Sequence, residues 1–323
     1  MKKISLNWWQ IACGFAMIFL AGYFISNISL NTKPKDQKDG SKELHQSGYK
    51  YISPLLECSD IHDIKQYHLE EQMKDIIQNN IQNNNITYAS LYFRDLNNGP
   101  WVGINEQEKF TPASLLKVPL MIAYLKMAES DAKILDNEIK IEEAANNLSQ
   151  NIVPLDKVEI GKSYKVSELI RYMIMYSDNN AANALLLHIN AEYLNQTYSD
   201  LGIIAPDGAT QTENFMNVKD YASFFRILYN ASYLNRDMSE KALEILTASQ
   251  FNQGLKAGLP ENVKLAHKFG ERIFLENKQL HDCGIIYKEK SPYLLCIMTR
   301  GNDFNKMSAA IKELSAEVYK EFK

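Results

Sequence analysis

The chain contains few of the residues from which zinc and phosphate sites are built. Its 323 residues include six histidines and four cysteines, and these form neither an H-E-x-x-H pattern nor a Cys/His cluster. That absence argues against a zinc hydrolase. Sequences of the G-x-S-x-G type and glycine-rich phosphate loops are absent as well. We therefore predict no metal and no other cofactor.

An excess of charge of one sign is also missing. The 35 lysines and arginines and the 39 aspartates and glutamates leave a net charge of −4, with no basic stripe. The sequence therefore predicts no nucleic-acid partner. No internal repeat or low-complexity tract occurs after residue 50. With 46% hydrophobic residues, the chain is long enough to bury a full core as one large or two smaller domains.

The N-terminal segment is mostly apolar. Lys2 and Lys3 precede an apolar run over residues 8–28, and its roughly 20 residues are enough to span a bilayer. The run has no A-x-A-like cleavage site, which favours an uncleaved membrane anchor over a signal peptide. The positive-inside rule then places the rest of the chain outside the cytoplasm. A cleaved signal peptide, and hence a secreted protein, is the alternative.

Composition divides the chain into three parts. Residues 1–30 are predicted to be the anchor or signal segment. Residues 31–50 are polar, with almost nothing to bury, and are predicted to be a flexible linker. Residues 51–323 are predicted to form the folded domain.

Three cysteines lie beyond the apolar run and are able to oxidise outside the cytoplasm. These are Cys58, Cys283 and Cys296. Cys283 and Cys296 flank a predicted hairpin and are candidates for neighbours, but the sequence assigns no pair. Buried free cysteines are the alternative.

Hydrophobic periodicity predicts the order of the helices and strands. Helix-like spacing over residues 62–82 precedes two strands over 86–96 and 101–104. Further helices are predicted from a start near Ser114 and over 166–176, 180–189, 218–229 and 239–246. Strands follow over 263–269, 280–287 and 293–299, and Asp303 is predicted to cap a closing helix. This α+β order indicates an antiparallel sheet with flanking helices and an all-α lobe.

Three short motifs occur in one order. They are Ser114-Leu115-Leu116-Lys117, then Ser177-Asp178-Asn179, then Lys268-Phe269-Gly270. Together they match the set S-x-x-K, S-D-N and K-x-G of a penicilloyl-serine active site. Two more S-x-x-K sequences start at Ser47 and Ser130. The order and spacing of all three motifs therefore carry the prediction.

These residue types suit acyl transfer. A serine hydroxyl is a weak nucleophile and needs an adjacent base. Residues three apart on a helix share a face, so Lys117 can reach Ser114. A lysine acts as a base at neutral pH only if desolvation and nearby positive charge lower its pKa. Lys268 is the candidate for that second charge.

The motifs make the chain resemble the class A β-lactamase and penicillin-binding D-alanyl-peptidase superfamily of serine hydrolases, from about Tyr51 to the C-terminus. The resemblance implies a β-lactamase/transpeptidase-like fold, in which an antiparallel sheet of about five strands is flanked by helices and an all-α lobe. It places the site in the cleft between the lobes. It also implies a monomer that acts on a β-lactam or a D-alanyl-peptide-like small substrate.

The resemblance assigns a role to each motif residue. Ser114 would be the nucleophile, and Ser177 would pass a proton to the leaving nitrogen. Asn179 would bind Lys117 and the acyl-amide carbonyl of the substrate. The oxyanion hole would be formed by the backbone amides of Ser114 and Glu271. Asp178 is expected to be a buried anchor for its loop.

Deacylation in this family requires a glutamate in an E-x-x-x-N pattern. Glu213-Asn214-Phe215-Met216-Asn217 fits that pattern, which makes Glu213 the candidate that activates water. In the alternative alignment, Asn217 is the N-cap of the next helix. Glu213 would then be an exposed loop carboxylate.

The third motif departs from the family pattern. Phe269 stands where a hydroxyl residue usually binds the substrate carboxylate. An arginine on the next strand is also common in the family, and here that region reads His281-Asp282-Cys283. Arg272 or Lys268 would have to carry the carboxylate, beside Gly270.

Three functions follow. The first is a β-lactamase that acylates at Ser114 and hydrolyses through water. The second is a penicillin-binding D-alanyl peptidase or amidase that releases penicillin slowly. The third is a cell-wall-binding module with little turnover. The complete set of serines and lysines argues against the third, and Phe269 argues against the first.

Overall fold

The computed structural model describes residues 44–45, 48–53, 55–57, 64–97, 99–145, 150–203, 214–274 and 277–322. Its helices are α1 Ile64–Gln82, α2 Lys117–Ser130, α3 Val166–Met175, α4 Asn179–His188, α5 Ala191–Asp200, α6 Val218–Tyr229, α7 Arg236–Thr247 and α8 Phe304–Glu321. Its strands are β1 Leu44–His45, β2 Leu55–Glu57, β3 Tyr88–Asp95, β4 Trp101–Ile104, β5 Lys109–Phe110, β6 Glu138–Lys140, β7 Ser163–Lys165, β8 Met216–Asn217, β9 Lys264–Phe274, β10 Asn277–Tyr287 and β11 Tyr293–Gly301.

The central sheet has five antiparallel strands in the order β4-β3-β11-β10-β9. This confirms the predicted fold class. The last three strands form consecutive hairpins, and the two early strands add to the far side of β11. Strand β9, which carries the third motif, is an edge strand of this sheet. The edge of β9 that faces away from β10 is therefore available to the segments that carry the other two motifs.

Both faces of the sheet are buried, because side chains alternate along each strand. On β11, Leu294 and Met298 belong to a core shared with the helices α2 to α7. Their neighbours Leu295 and Ile297 belong to a second core shared with α1 and α8. The sheet is thus the middle layer, and this two-sided burial explains why β11 is apolar at nearly every position.

Cys283 on β10 lies directly opposite Cys296 on β11, and the two form a disulfide. The sequence left this pairing open. Lys268 is the register partner of Cys283 on the other side. The disulfide therefore lies one strand away from a motif lysine, on the face that packs against the helical lobe.

Side-chain caps begin the helices that matter for the site. Asp178 accepts a hydrogen bond from the backbone of α4, and Asn217 does the same for α6. The Asp303 side chain accepts from two backbone amides at the start of α8, as the sequence predicted. Each cap satisfies amides that a helix leaves without an internal partner.

The helix predicted from near Ser114 begins later than expected. Ala113–Leu116 is a 3₁₀ turn, and α2 starts at Lys117. Pro119 has no amide to donate to the Leu115 carbonyl, so the α-helical bond at that point cannot form. The Tyr221 hydroxyl donates to that carbonyl instead, at 3.2 Å.

Some elements were not predicted. The strand pairs β5–β8 and β6–β7 are two or three residues long, too short for an alternation pattern to be visible. Helix α5 is largely polar, and its clearest sequence signal is the cap Asn190, which accepts from Glu192 and Tyr193.

The predicted anchor over residues 1–30, Cys58 and Glu213 lie outside the described residues. Among the helices that the structure does describe, none combines the length and the apolar character needed to cross a membrane.

Candidate active site

The S-x-x-K motif is brought together by the 3₁₀ turn at the start of α2. Lys117 donates a hydrogen bond from Nζ to Ser114 Oγ at 3.1 Å. The turn is entered through Ala113, whose φ of 50° is in the left-handed region, where residues other than glycine are strained. Gly270 of β9 lies against this turn: a Cβ there would come within 2.8 Å of the Pro112 carbonyl oxygen and 2.9 Å of Leu115 Cγ. Only glycine lets the strand approach the nucleophile so closely.

Lys117 is buried and surrounded by acceptors. The side chain is 7% exposed, and its Nζ lies within hydrogen-bonding distance of Asn179 Oδ1, at 2.7 Å, and of the carbonyl and hydroxyl oxygens of Ser177. Burial lowers its pKa to about 7, against the charges of Asp178 and Glu271, which raise it. A large fraction of Lys117 is therefore neutral near neutral pH and able to accept a proton.

Ser177 connects the two motif lysines. It is buried with a φ of 59°, and the strained loop directs its side chain into the site. Lys268 donates from Nζ to Ser177 Oγ at 2.9 Å, and Lys117 reaches the same hydroxyl at 3.2 Å. The hydroxyl thus stands between two amines, where a proton can pass in either direction.

Asp178 anchors this loop. One carboxylate oxygen accepts from the Asn180 amide at 2.8 Å, and the other accepts from the Val158 amide at 2.7 Å. The side chain is buried. Its position agrees with the structural role expected from the sequence.

Lys268 is fully buried at the edge strand. Its Nζ also donates to the carbonyl of Phe269 at 2.8 Å. Burial, and then repulsion from Lys117, lower its pKa well below the usual value for lysine. The sequence predicted that Lys268 would help to lower the pKa of Lys117, but burial lowers that pKa, and the repulsion acts on Lys268 instead.

The orientation of β9 places the Glu271 amide at the cleft. In an antiparallel strand the N–H and C=O of one residue point to the same side. The N–H and C=O of the residue two positions later point to that side too. The Phe269 carbonyl faces the Lys268 amine, so the Glu271 amide faces the same side. With the Ser114 amide at the adjoining turn, it suits a developing oxyanion.

A cavity of about 510 Å³ lies beside Asn179. It is lined by the segment 153–157, in which Val153 and Leu155 are 75% and 74% exposed. In the part of the chain that the structure describes, no three His, Cys, Asp or Glu side chains come together as metal ligands do.

Residues 68–322 match the model of the β-lactamase enzyme family. The chain belongs to this family. The match covers most of the folded region and confirms the superfamily that the motifs indicated. A search of curated proteins found no match.

Several solved structures share the fold. A mutant of PBP-A, described as an acyl-enzyme complex with penicillin-G, is 24% identical, with a TM-score of 0.66 over 79% of this chain and 96% of its own. A β-lactamase from Xanthomonas campestris pv. campestris is 21% identical, with a TM-score of 0.67 over 79% and 99%. A class A β-lactamase from Mycobacterium abscessus is 18% identical, with a TM-score of 0.66 over 79% and 99%.

Phe269, which stands where the family usually has a hydroxyl residue, forms an aromatic pair with Phe251. The Phe269 ring stacks on Phe251, with centroids 4.1 Å apart, and Lys268 Nζ lies 4.2 Å from the Phe269 centroid. Across the sheet, Asp282 is the register partner of Phe269. Asp282 is buried and accepts from His267 Nδ1 at 2.8 Å. The region in which the family commonly has an arginine therefore holds a buried acid and histidine.

Arg272 occupies the other face of β9. Adjacent residues of a strand point to opposite faces, so Arg272 shares the face of Lys268 and Gly270, away from Phe269. Its register partner is Gln279. Within the described residues, Arg272 Nε is buried without a hydrogen-bond partner.

Glu213 lies outside the described residues, but Asn217 is described. Its Oδ1 accepts from the Asp220 amide at 2.7 Å, and its Nδ2 donates to the Asp220 carboxylate at 2.8 Å. Both ends of the amide are thus used to begin α6. The side chain takes the cap position of the alternative alignment.

A clamp on Thr111 was missed by sequence reasoning. Gln279 Oε1 accepts from the Thr111 amide, and His281 Nε2 donates to the Thr111 carbonyl, both at 3.0 Å. Gln279 also donates to Asn214 at 2.9 Å. The i, i+2 spacing of Gln279 and His281 was the available signal, since it puts both on one face of β10. The clamp fixes the peptide three residues before the nucleophile.

Proposed function

We propose that the chain is a serine hydrolase that opens an amide through an acyl-enzyme on Ser114. Its substrate is a β-lactam or a D-alanyl-peptide-like small molecule. The observation that carries the proposal is the 3.1 Å hydrogen bond between Lys117 Nζ and Ser114 Oγ. The amine belongs to a buried lysine whose pKa is lowered to about 7.

In the acylation step, Ser114 Oγ bonds to the carbonyl carbon as its proton moves to Lys117 Nζ. The carbonyl oxygen becomes an oxyanion at the amides of Ser114 and Glu271. The C–N bond then breaks, and the leaving nitrogen takes the Ser177 hydroxyl proton. The protonated amine of Lys117, which reaches Ser177 Oγ, returns a proton to Ser177. Water later cleaves the ester and restores Ser114.

The second candidate is a penicillin-binding peptidase or amidase, in which the acyl-enzyme is hydrolysed slowly. The observation that favours it is the use of Asn217 as a helix cap. In the E-x-x-x-N pattern this asparagine would be paired with Glu213 in the deacylation machinery. If both ends of its amide serve Asp220, the acyl-enzyme is hydrolysed slowly and penicillin acts as a long-lived acylating agent.

Burst kinetics test both candidates. The full-length chain is mixed with excess chromogenic cephalosporin, beside Ser114→Ala and the matched control Ser130→Ala, which alters an exposed S-x-x-K serine. The proposal predicts a burst of about one equivalent in the wild type and the control, and none in Ser114→Ala. Fast turnover after the burst supports a β-lactamase, and slow turnover supports the peptidase. Absence of both a burst and steady turnover in every variant contradicts acyl transfer and leaves the binding module.

We also propose that the domain lies outside the cytoplasm, held there by the N-terminal segment or secreted. The disulfide between Cys283 and Cys296 supports this, because disulfides persist in oxidising compartments. Protease added to spheroplasts, which lack the wall and an intact outer membrane, should digest the domain. Protection of the domain until the cells are lysed would contradict this location.

A further inference from the structure

The carboxylate of Glu271 joins the two sides of the cleft. Its Oε1 accepts from the amides of Asn151 and Ile152 at 2.9 and 2.7 Å. The preceding Gln150 donates from its side chain to the Ser177 carbonyl at 2.9 Å. Segment 150–152 is therefore tied both to β9 and to the loop that holds the proposed proton donor. This places the Glu271 carboxylate on the Ser177 side of the site, where the leaving group departs.

The second oxygen of this carboxylate is not used by these contacts. Glu271 Oε2 is buried and has no hydrogen-bond partner among the residues that the structure describes. A buried charged oxygen without a partner is costly, and a donor that arrives with a substrate relieves that cost. The charge acts within the site, since it raises the pKa of both Lys117 and Lys268 against the effect of burial.

The surroundings of Glu271 do not suit a substrate carboxylate. The aromatic pair Phe251–Phe269 offers no hydrogen-bond donor. Lys268 already donates to Ser177 Oγ and to the Phe269 carbonyl. On β10, the register partner of Phe269 is the acid Asp282, which is buried and already accepts from His267 Nδ1. Beside the engaged amine of Lys268, this side of the site is therefore formed by aromatic rings and carboxylates.

We propose that Glu271 is the specificity-determining residue of the site, and that it selects acyl donors carrying an ammonium group, in place of a carboxylate, on the leaving-group side of the scissile bond. The inference rests on the proposed acyl transfer at Ser114. An ammonium group donates to Glu271 Oε2 and is attracted by its charge. A carboxylate at the same place is repelled by that charge.

Three matched thioesters test the inference. They share one N-acyl-D-alanyl group and differ in the thiol that leaves: thioglycolate is anionic, thioglycolamide is neutral, and 2-(dimethylamino)ethanethiol is cationic. Thiol release by the full-length chain gives kcat/KM for each. With each kcat/KM divided by the rate constant for uncatalysed hydrolysis of the same donor, which removes the difference in thiol acidity, we expect the cationic donor to exceed the anionic donor by at least about tenfold, as one unscreened charge close to the leaving group provides. In Glu271→Gln the ratio should fall to within about threefold.

Controls separate the outcomes. Glu289→Gln removes an exposed glutamate on the β10–β11 turn and should keep the wild-type ratio. Equal rates for the three donors, or a preference for the anionic one, with all release lost in Ser114→Ala, overturn the role of Glu271 and leave the proposed function standing. An unchanged ratio in Glu271→Gln also overturns it. If no donor reacts at Ser114, the proposed function and the inference both fall.

Discussion

Among single residues, Lys117 is the one whose protonation controls the proposed acylation of Ser114. Its pKa is lowered to about 7, so the neutral fraction rises from about a tenth at pH 6 to about nine tenths at pH 8. Because the neutral amine accepts the Ser114 proton, the acylation rate should rise over this range with a midpoint near pH 7. Single-turnover stopped-flow acylation measures that rate.

Two variants accompany this pH profile. Lys117→Ala should slow acylation by at least about a hundredfold. Lys133→Ala, in the exposed Ser130 S-x-x-K sequence, should not change it. A rate that is flat between pH 6 and 8 in the wild type would show that Lys117 is not the base.

His281 gives a second prediction at this scale. It is fully buried, and burial lowers its pKa to about 4. The unfolded chain therefore binds the proton more readily, at its ordinary pKa of about 6.5. This contribution to stability is complete above pH 6.5 and is lost as the pH falls through about 4.

The measurement is urea unfolding at pH 7 and pH 4.5. His281→Gln keeps a donor for the Thr111 carbonyl but does not titrate, so it should lose less stability than the wild type over this interval. The control His188→Gln, which alters an exposed histidine, should behave like the wild type. An equal loss in His281→Gln and wild type would refute the buried neutral histidine.

Residue-level prediction worked where the contact is local. Ser114 and Lys117 are three positions apart, and helical geometry alone brings them together. The bonds of Glu271 to Asn151 and Ile152 join residues 120 and 119 positions apart. No periodicity encodes such contacts, and the stack of Phe251 on Phe269 is equally remote from a local pattern. The sequence showed that Phe269 departs from the family pattern, but it did not show that Phe251 stacks on its ring.

At the scale of elements, the two asparagine caps allow a matched comparison. Asn217 begins α6 and Asn235 begins α7, each accepting from the backbone amide three residues on. Replacing either by alanine should lower the free energy of unfolding by about 1 kcal/mol. If Asn217 is only a cap, both variants should keep the wild-type lifetime of the penicilloyl-enzyme.

Urea unfolding and the decay of the adduct measure the two effects. A lifetime that lengthens in Asn217→Ala and not in Asn235→Ala would contradict the cap assignment. That result would indicate that Asn217 and Glu213 take part in deacylation.

The long elements were predictable because each has a complete signal. Helix α6 has a cap, an acidic first turn and an apolar face, and its observed bounds, Val218–Tyr229, are those predicted. Strands β9 to β11 were predicted shorter than they are, because the residues 270–272, 277–279 and 300–301 are polar or glycine and break the apolar pattern. The 3₁₀ turn before α2 depends on Pro119 and on the distant hydroxyl of Tyr221, which a local pattern does not show.

At the scale of the whole molecule, the disulfide ties the sheet together. Cys283 and Cys296 are 13 positions apart, and closing a loop of this size stabilises a folded chain by about 3 kcal/mol in the chain-entropy model. The double variant Cys283→Ala/Cys296→Ala should lose up to about that amount in urea unfolding. Reductant should destabilise the wild type and leave the double variant unchanged. Equal effects of reductant on both would argue against the disulfide.

We infer that the three motifs form one acyl-transfer site with Ser114 as the nucleophile. The most direct test of this inference is peptide mapping by tandem mass spectrometry after the full-length chain is treated with penicillin and quenched in acid. We expect a penicilloyl adduct on the peptide that contains Ser114 in the wild type and in Ser130→Ala. We expect no adduct in Ser114→Ala. An adduct on another residue, or one that persists in Ser114→Ala, would contradict it.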